Sequence, residues 1–190
     1  KEVWTAIIKE KIKNQAKLLE IYDEDGSKKL YKYVDQIRLF DSTNREGHAA
    51  KVYFDDLFGV DFTRTSKSDI NASLNYGYSI LLSQFNKELV LNGYLTQLGI
   101  KHCNEFNPFN LSSDLMEPFR PLVDKIVREN CDEIFDGSMR LKLVDVLNHK
   151  VRIKNSNQYV SNAISIYVKS VIKAIEKKDI SYLEFFEYEL

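Results

Sequence analysis

Apolar residues recur every third or fourth position near the start of the chain: Trp4, Ile7, Ile8, Ile12, Ala16 and Leu19, with Lys9, Lys13 and Lys17 on another face. This spacing predicts an amphipathic helix over 2–20. The segment YDEDGS at 22–27 reads as a turn, and a second helix is predicted at 28–40. Asp41, Ser42 and Thr43 form an N-cap cluster for a third helix that runs to Phe58, and Gly59 stands where a helix stops. Residues 60–67 form a loop carrying Arg64 and Lys67. Ser68 caps the longest predicted helix, 69–98, with Ile70, Leu74, Tyr78, Leu81, Leu82 and Phe85 at helical spacing and Gly99 as its stop. An asparagine-rich loop, KHCNEFNPFN, follows. Further helices are predicted at 111–130, with Pro118 and Pro121 inside it or at its start, at 136–148 and at 157–178. The basic connector HKVRIKN has room for a short extended piece, and 180–190 for a terminal turn or helix. With only 7 Gly and 3 Pro, little interrupts these stretches. No internal repeat, low-complexity tract or linker divides them. The pattern predicts one all-α, bundle-like domain over 1–190.

Composition narrows what such a domain does. A chain of 190 residues suits one domain with a substantial core. Lys and Arg number 27 against 28 Asp and Glu, which excludes a chain that coats nucleic acid by bulk charge. Any DNA or RNA binding needs a local basic surface. The stretch 140–154 offers one, with Arg140, Lys142, Lys150, Arg152 and Lys154 against a single acid, Asp145. Cys103 and Cys131 supply neither a disulfide framework nor a four-thiolate zinc site. Without a secretory signal they read as reduced thiols of a cytoplasmic protein. No apolar run approaches the ~18 residues a membrane helix needs. The opening KEVWTAIIKE lacks Met and starts directly in a helical pattern, so an upstream domain is expected outside this sequence.

Candidate chemistry lies where polar residues fall on apolar faces. Glu46, Ala50, Tyr53 and Leu57 share one face of the third predicted helix. A carboxylate buried there needs a partner or a cation; a glutamate stabilised by the helix N-terminus is the plainer alternative. Asp114 and Glu117 stand three apart, and Arg120 continues the row. Pro118 disfavours helical geometry at Glu117, so a kink is expected. Kinked carboxylates suit a hard cation; the alternative is a surface Glu117–Arg120 ion pair of little energetic weight. His102 lies in the loop between two long helices, whereas His48 and His149 belong to no ligand-spaced cluster. No phosphate-cradling loop, H-E-x-x-H or G-x-S-x-G motif is present. From the residues alone both readings stay open at each position.

Three segments, REGHAAKVYF, SDINASLNYGYSILLS and LGIKHCNEFNPFNLSSDLMEPFRPLVD, occur in this order. Together they resemble the CRISPR spacer-acquisition integrase, the adaptation endonuclease family, in the branch that accompanies single-effector type II systems. The likeness extends from the first helix to the end of the chain. It implies the helical catalytic domain of a divalent-metal-dependent DNA integrase and endonuclease, with the family's N-terminal β-rich domain absent from this chain. Glu46 in REGHAA, His102 in LGIKH and Glu117 in DLMEPFRP match the catalytic positions that bind magnesium or manganese. Asp114 occupies a neighbouring acidic position that contributes a ligand or a supporting contact. Many members carry Gly-Phe-Leu-His where this chain has Gly99-Ile100-Lys101-His102. The implied reaction is attack of a protospacer 3′-hydroxyl on a phosphodiester of the CRISPR repeat. The implied partners are double-stranded DNA, a second copy in a full-length homodimer and a small ferredoxin-like adaptation subunit, with no membrane. Arg64, Lys67, Tyr76, Lys101, Arg120, Lys150 and Arg152 are the expected nucleic-acid contacts, and Asn71 and Tyr78 match motif positions that equally suit helix packing. The competing readings are a non-catalytic all-α interaction fragment and a metal-binding domain that is inactive without its N-terminal domain.

Overall fold

Helix α1 (Glu2–Leu19) runs through the core, with Trp4, Ile7, Ile8, Ile12, Ala16, Leu18 and Leu19 buried. The structure, a computed structural model, describes residues 1–187. Helix α2 (Glu24–Gln36) packs on α1. It starts earlier than its apolar spacing indicates, because the Asp23 carboxylate accepts the Gly26 N–H at 2.9 Å and converts the expected turn into a first helical turn. A short 3-10 turn, Leu39–Asp41, leads to α3 (Arg45–Phe58). The residue at the cap is Asn44, in a left-handed conformation, yet Asp41 from the predicted cluster does the capping. Its carboxylate accepts the Arg45 N–H at 2.8 Å and the Glu46 N–H at 3.0 Å.

Helix α4 (Asp69–Leu91) begins at the predicted Ser68 cap, whose hydroxyl accepts the Asn71 N–H. It ends well short of Gly99. Asn92 and Gly93 (φ 81°) stop it, and the Asn92 side chain donates to the Glu88 carbonyl at 2.7 Å. The helix expected over 111–130 is three pieces: α5 (Asn110–Leu115), a 3-10 turn at Glu117–Phe119 and α6 (Arg120–Glu129). Pro118 causes the break, and Asn14 of α1 donates to the Pro118 carbonyl at 3.0 Å.

Helix α7 (Gly137–Val144) is capped by Asp136 and runs into a 3-10 turn, Asp145–Asn148. The extended piece is an antiparallel hairpin, β1 (Lys150–Ile153) with β2 (Ser156–Tyr159), in the register Lys150↔Tyr159 and Ile153↔Ser156. Lys154 and Asn155 take the left-handed turn conformation. The hairpin claims residues assigned by periodicity to the start of the last helix, so α8 is Val160–Lys177. Of the expected terminal segment only Ile180–Tyr182 is helical, as a 3-10 turn, and residues 188–190 lie outside the described residues. Helix α4 packs on α6, α7 and α8, and the rings of Phe85, Phe119, Tyr167 and Phe186 meet in the core between them. Among the described residues the all-α architecture thus carries one two-stranded exception. Among the described residues no helix is long and apolar enough to cross a membrane.

The asparagine-rich loop is closed at its base. The Thr96 hydroxyl donates to the Pro108 carbonyl at 2.8 Å, and the Leu111 N–H donates to the Thr96 carbonyl at 2.8 Å. The Asn110 side chain donates to the carbonyls of Gln97 and Asn104.

Candidate active site

Glu46 sits in the first turn of α3, where the Asp41 contacts fix the helix start, and Glu117 sits at the break between α5 and α6. Both reach the same ammonium. Lys11 Nζ lies 2.7 Å from Glu46 Oε1 and 2.6 Å from Glu117 Oε2. Arg120 Nη2 lies 2.9 Å from Glu117 Oε1. The Glu117–Arg120 row is present, but it is no surface pair, since the Glu117 side chain is only 4% exposed. Glu46, at 28%, opens toward solvent. Burial pushes the Glu117 pKa up, yet the charges of Lys11 and Arg120 outweigh it and hold the group below the ordinary carboxylate value. Burial likewise opposes the Lys11 charge, and Glu117 and Glu46 together raise its pKa above the usual lysine value.

His102 is held by Asp114, which is fully buried. Asp114 Oδ2 accepts the Ile100 N–H at 2.5 Å and the Lys101 N–H at 2.9 Å, while Oδ1 accepts the His102 N–H at 3.2 Å and contacts His102 Nδ1 at 2.5 Å. The other imidazole nitrogen, Nε2, makes no hydrogen bond among the described residues. The hydrogen bond to Asp114 raises the His102 pKa; burial opposes it, and the charges of Asp114, Glu117 and Glu46 add to the rise. The imidazole therefore shares an electrostatic neighbourhood with both glutamates. Gly99 permits this arrangement, because a Cβ there would lie 2.3 Å from the His102 carbonyl oxygen and 2.8 Å from Asp114 Oδ2. Among the described residues no three His, Cys, Asp or Glu side chains already stand at coordinating range; Lys11 occupies the space between the two glutamates.

The expected nucleic-acid contacts divide in two. Arg64 donates to Asn71 and Asn75 and lies over the Tyr78 ring, 5.5 Å from its centroid. Arg120 lies over the same ring at 4.8 Å. Lys101 Nζ sits 4.3 Å from the centroid of the Phe40 ring, beside the turn that starts α3. Of these three, Arg120 pairs with Glu117, Arg64 shares the Tyr78 ring with Arg120, and Lys101 adjoins His102 in the chain. Lys67 is exposed, Tyr76 packs against Phe135, and Lys150 and Arg152 lie on the exposed face of β1. Among the described residues no hydrogen bond or ion pair joins these four to Glu46, His102 or Glu117. Lys150 lines a separate surface cavity with Lys125, Glu129 and His149. His48 and His149 stand outside the cluster, as their isolation in sequence implies; His149 is 3.9 Å from Asp145.

Two participants escape the sequence reading. Lys11 is one, and its signal was present: Lys11, Asn14 and Gln15 interrupt the buried face of α1. Asp124 is the other. It is buried on α6 and accepts the Tyr53 hydroxyl at 2.7 Å and the Tyr78 hydroxyl in a short hydrogen bond. Burial pushes its pKa up to about 6, against those hydrogen bonds and the charges of Arg120 and Arg64. This network ties α3, α4 and α6 together beneath Arg64 and Arg120.

Known proteins share this arrangement of elements. The family described as CRISPR associated protein Cas1 matches residues 2–134. A CRISPR-associated endonuclease Cas1 from Neisseria meningitidis serogroup C (strain 8013) is 34% identical over 191 residues, covering 97% of this chain and 62% of the relative. This chain therefore spans less than two thirds of that protein. A solved structure described as casposase bound to integration product superposes with a TM-score of 0.77 at 22% identity, over 100% of this chain and 68% of that one. A Cas6-RT-Cas1–Cas2 complex gives a TM-score of 0.77 at 18% identity, over 98% of this chain and 25% of that one. At these identities the two structures speak for the fold. The match over residues 2–134 speaks for descent: the chain belongs to the CRISPR associated protein Cas1 family.

Proposed function

We propose that this chain is the catalytic part of a divalent-metal-dependent DNA integrase and endonuclease of CRISPR adaptation, with Glu46, His102 and Glu117 holding the metal. The observation that carries the reading is the meeting of Glu46 and Glu117, from separate elements, on one buried cation, Lys11. Two carboxylates that close on an ammonium face a common point suited to positive charge, and His102 lies within their field. Two carboxylates and an imidazole suit magnesium or manganese, and the imidazole favours manganese. When bound, the cation supplies Lewis-acid polarisation of a phosphodiester oxygen and stabilises charge on the attacking or leaving oxygen.

The chain's own residues do the rest. Asp114 fixes the His102 ring through Nδ1 and leaves Nε2 to the metal, so it supports the site through His102. Arg120, held by Glu117 and the Tyr78 ring, presents a planar cation to phosphate, and Arg64 and Lys101 extend that charge. In the proposed reaction the 3′-hydroxyl oxygen of the incoming DNA forms a bond to a repeat phosphorus, and the repeat's own 3′ oxygen leaves as a hydroxyl. Water in place of the 3′-hydroxyl gives nuclease activity. The sequence resemblance implies double-stranded DNA and a small ferredoxin-like subunit as partners, with a homodimer in the longer protein, and membership of the Cas1 family supports that reading. Lys67, Tyr76, Lys150 and Arg152 serve as outlying DNA contacts.

Manganese titration followed by electron paramagnetic resonance tests the site, comparing the chain with a Glu46→Ala, His102→Ala, Glu117→Ala triple variant. Saturable binding lost in the triple variant is expected. Equal binding by both, or none up to millimolar metal, overturns the reading. Because the chain spans 62% of the Neisseria relative, a second reading stands beside it: a site that binds metal but needs the remaining domain for strand transfer. Resolution of a branched DNA by this chain supports the first reading; metal binding without resolution supports the second.

A further inference from the structure

Lys11 is costly where it stands. Its ammonium is buried, and burying a charge gives up hydration and side-chain freedom. Ile7 and Ile8 stand one turn before it on α1 and Asn14 and Gln15 one turn after, so an apolar residue would extend the stripe of Ile7 and Ile8 without that cost. Its stem leaves the buried face of α1, and the charge ends between Glu46 Oε1 at 2.7 Å and Glu117 Oε2 at 2.6 Å. Arg120 already answers the other Glu117 oxygen. The lysine is thus explained by what its charge does for Glu46 Oε1 and Glu117 Oε2, the two oxygens that Arg120 does not reach.

We propose that Lys11 is a built-in competitor for the divalent cation: it holds Glu46 and Glu117 together in the metal-free protein and must yield their oxygens for the metal to bind. This inference rests on the reading of Glu46, His102 and Glu117 as the metal-holding set, and adds to it a positioning residue and an exchange of cations. A dication is drawn to a carboxylate pair more strongly than an ammonium is, so the exchange runs toward metal, and the hold of Lys11 sets the concentration at which it does. The ammonium, on a flexible four-carbon stem, gives way by side-chain rotation while α1 stays in place. Removing the charge then has two opposite effects. The metal-free protein loses a buried counter-ion and weakens, while metal binding tightens. A lysine that merely packs predicts the first effect without the second.

The test measures manganese affinity by electron paramagnetic resonance, and thermal melting with and without manganese, on the whole chain and on Lys11→Met, Lys11→Gln and Lys11→Arg. The Met and Gln variants are expected to melt lower than wild type without metal and to bind manganese about tenfold more tightly or better. The Arg variant keeps the charge and is expected to bind no more tightly than wild type. If wild type binds manganese and the folded Met and Gln variants bind equally or more weakly, Lys11 is no competitor, and the metal reading survives alone. If neither wild type nor any variant binds, the metal reading falls and this inference falls with it. Variants that stay unfolded at every manganese concentration would show that Lys11 serves the fold, which also overturns the proposal.

Discussion

Replacing Asp114 removes one fully buried carboxylate that organises the whole turn from Ile100 to His102. In Asp114→Ala three backbone N–H groups and the imidazole Nδ1 lose their partner. The Ile100 amide is half-buried and bears close to a full desolvation penalty, whereas Lys101 and His102 are exposed enough for water to answer part of theirs. Counted this way the substitution costs about 4 kcal/mol of folding stability. Asp114→Asn keeps one acceptor and turns an amide N–H₂ toward the remaining donors, so it is expected to lose less stability while still freeing the His102 ring. Loss of such a supporting contact lowers metal affinity by about 10–100-fold. Urea unfolding gives the stability term, and manganese titration of the folded Asn variant gives the affinity term. Wild-type stability and wild-type affinity in Asp114→Asn would refute the argument. Complete loss of binding by the folded Asn variant would refute it differently, by making Asp114 itself a ligand.

Two further outcomes follow from other parts of the fold. Asp124 has its pKa pushed up to about 6 in the folded protein from an ordinary 3.8, so its protonated form favours folding and the benefit is lost as pH rises through that window. The stability of wild type relative to Asp124→Asn is expected to fall by about 2 kcal/mol between pH 4 and 6.5 and to level off above; a flat difference in urea titrations across that range contradicts the assignment. Gly77 lies where a Cβ would meet Val123 Cγ1 at 2.4 Å and Leu143 Cδ2 at 3.1 Å, both on buried side chains. Gly77→Ala is therefore expected to lower stability by about 1–3 kcal/mol despite alanine's better helix propensity, and a higher melting temperature would show that α6 moves to accommodate it.

Periodicity located the helices because each buries one stripe, and it failed where a local polar contact overrides the stripe. The start of α2 depends on a single Asp23 carboxylate, and the end of α4 on Asn92 and Gly93 rather than the later Gly99. The short extended piece was legible in the connector HKVRIKN, but its partner strand Ser156–Tyr159 was not, because it carries no buried apolar alternation and overlaps the expected start of the last helix. At the candidate site the resemblance named Glu46, His102 and Glu117, the proposed metal-holding set, and Pro118 announced the kink. Their common cation was not. Lys11 reads as one more lysine in a lysine-rich helix until its neighbours Asn14 and Gln15 are seen on the same buried face. Asp124 was hidden similarly, since only the fold brings Tyr53 and Tyr78 to it.

The clip that joins Thr96 to Pro108 and Leu111 separates the anchoring of His102 from the length of its loop. Asp114 grips the backbone at 100–102 on one side, and Asn110 ties down the carbonyls of Gln97 and Asn104. Between Asn104 and Pro108 the chain contributes little to either grip, and Phe106 at the tip is 86% exposed. Lengthening or shortening that tip changes closure entropy only slowly with residue count. The tip is thus a place where relatives can differ in loop length without moving the histidine, and where a genetically encoded reporter or a peptide tag can be grafted to follow this chain in solution with its chemistry intact.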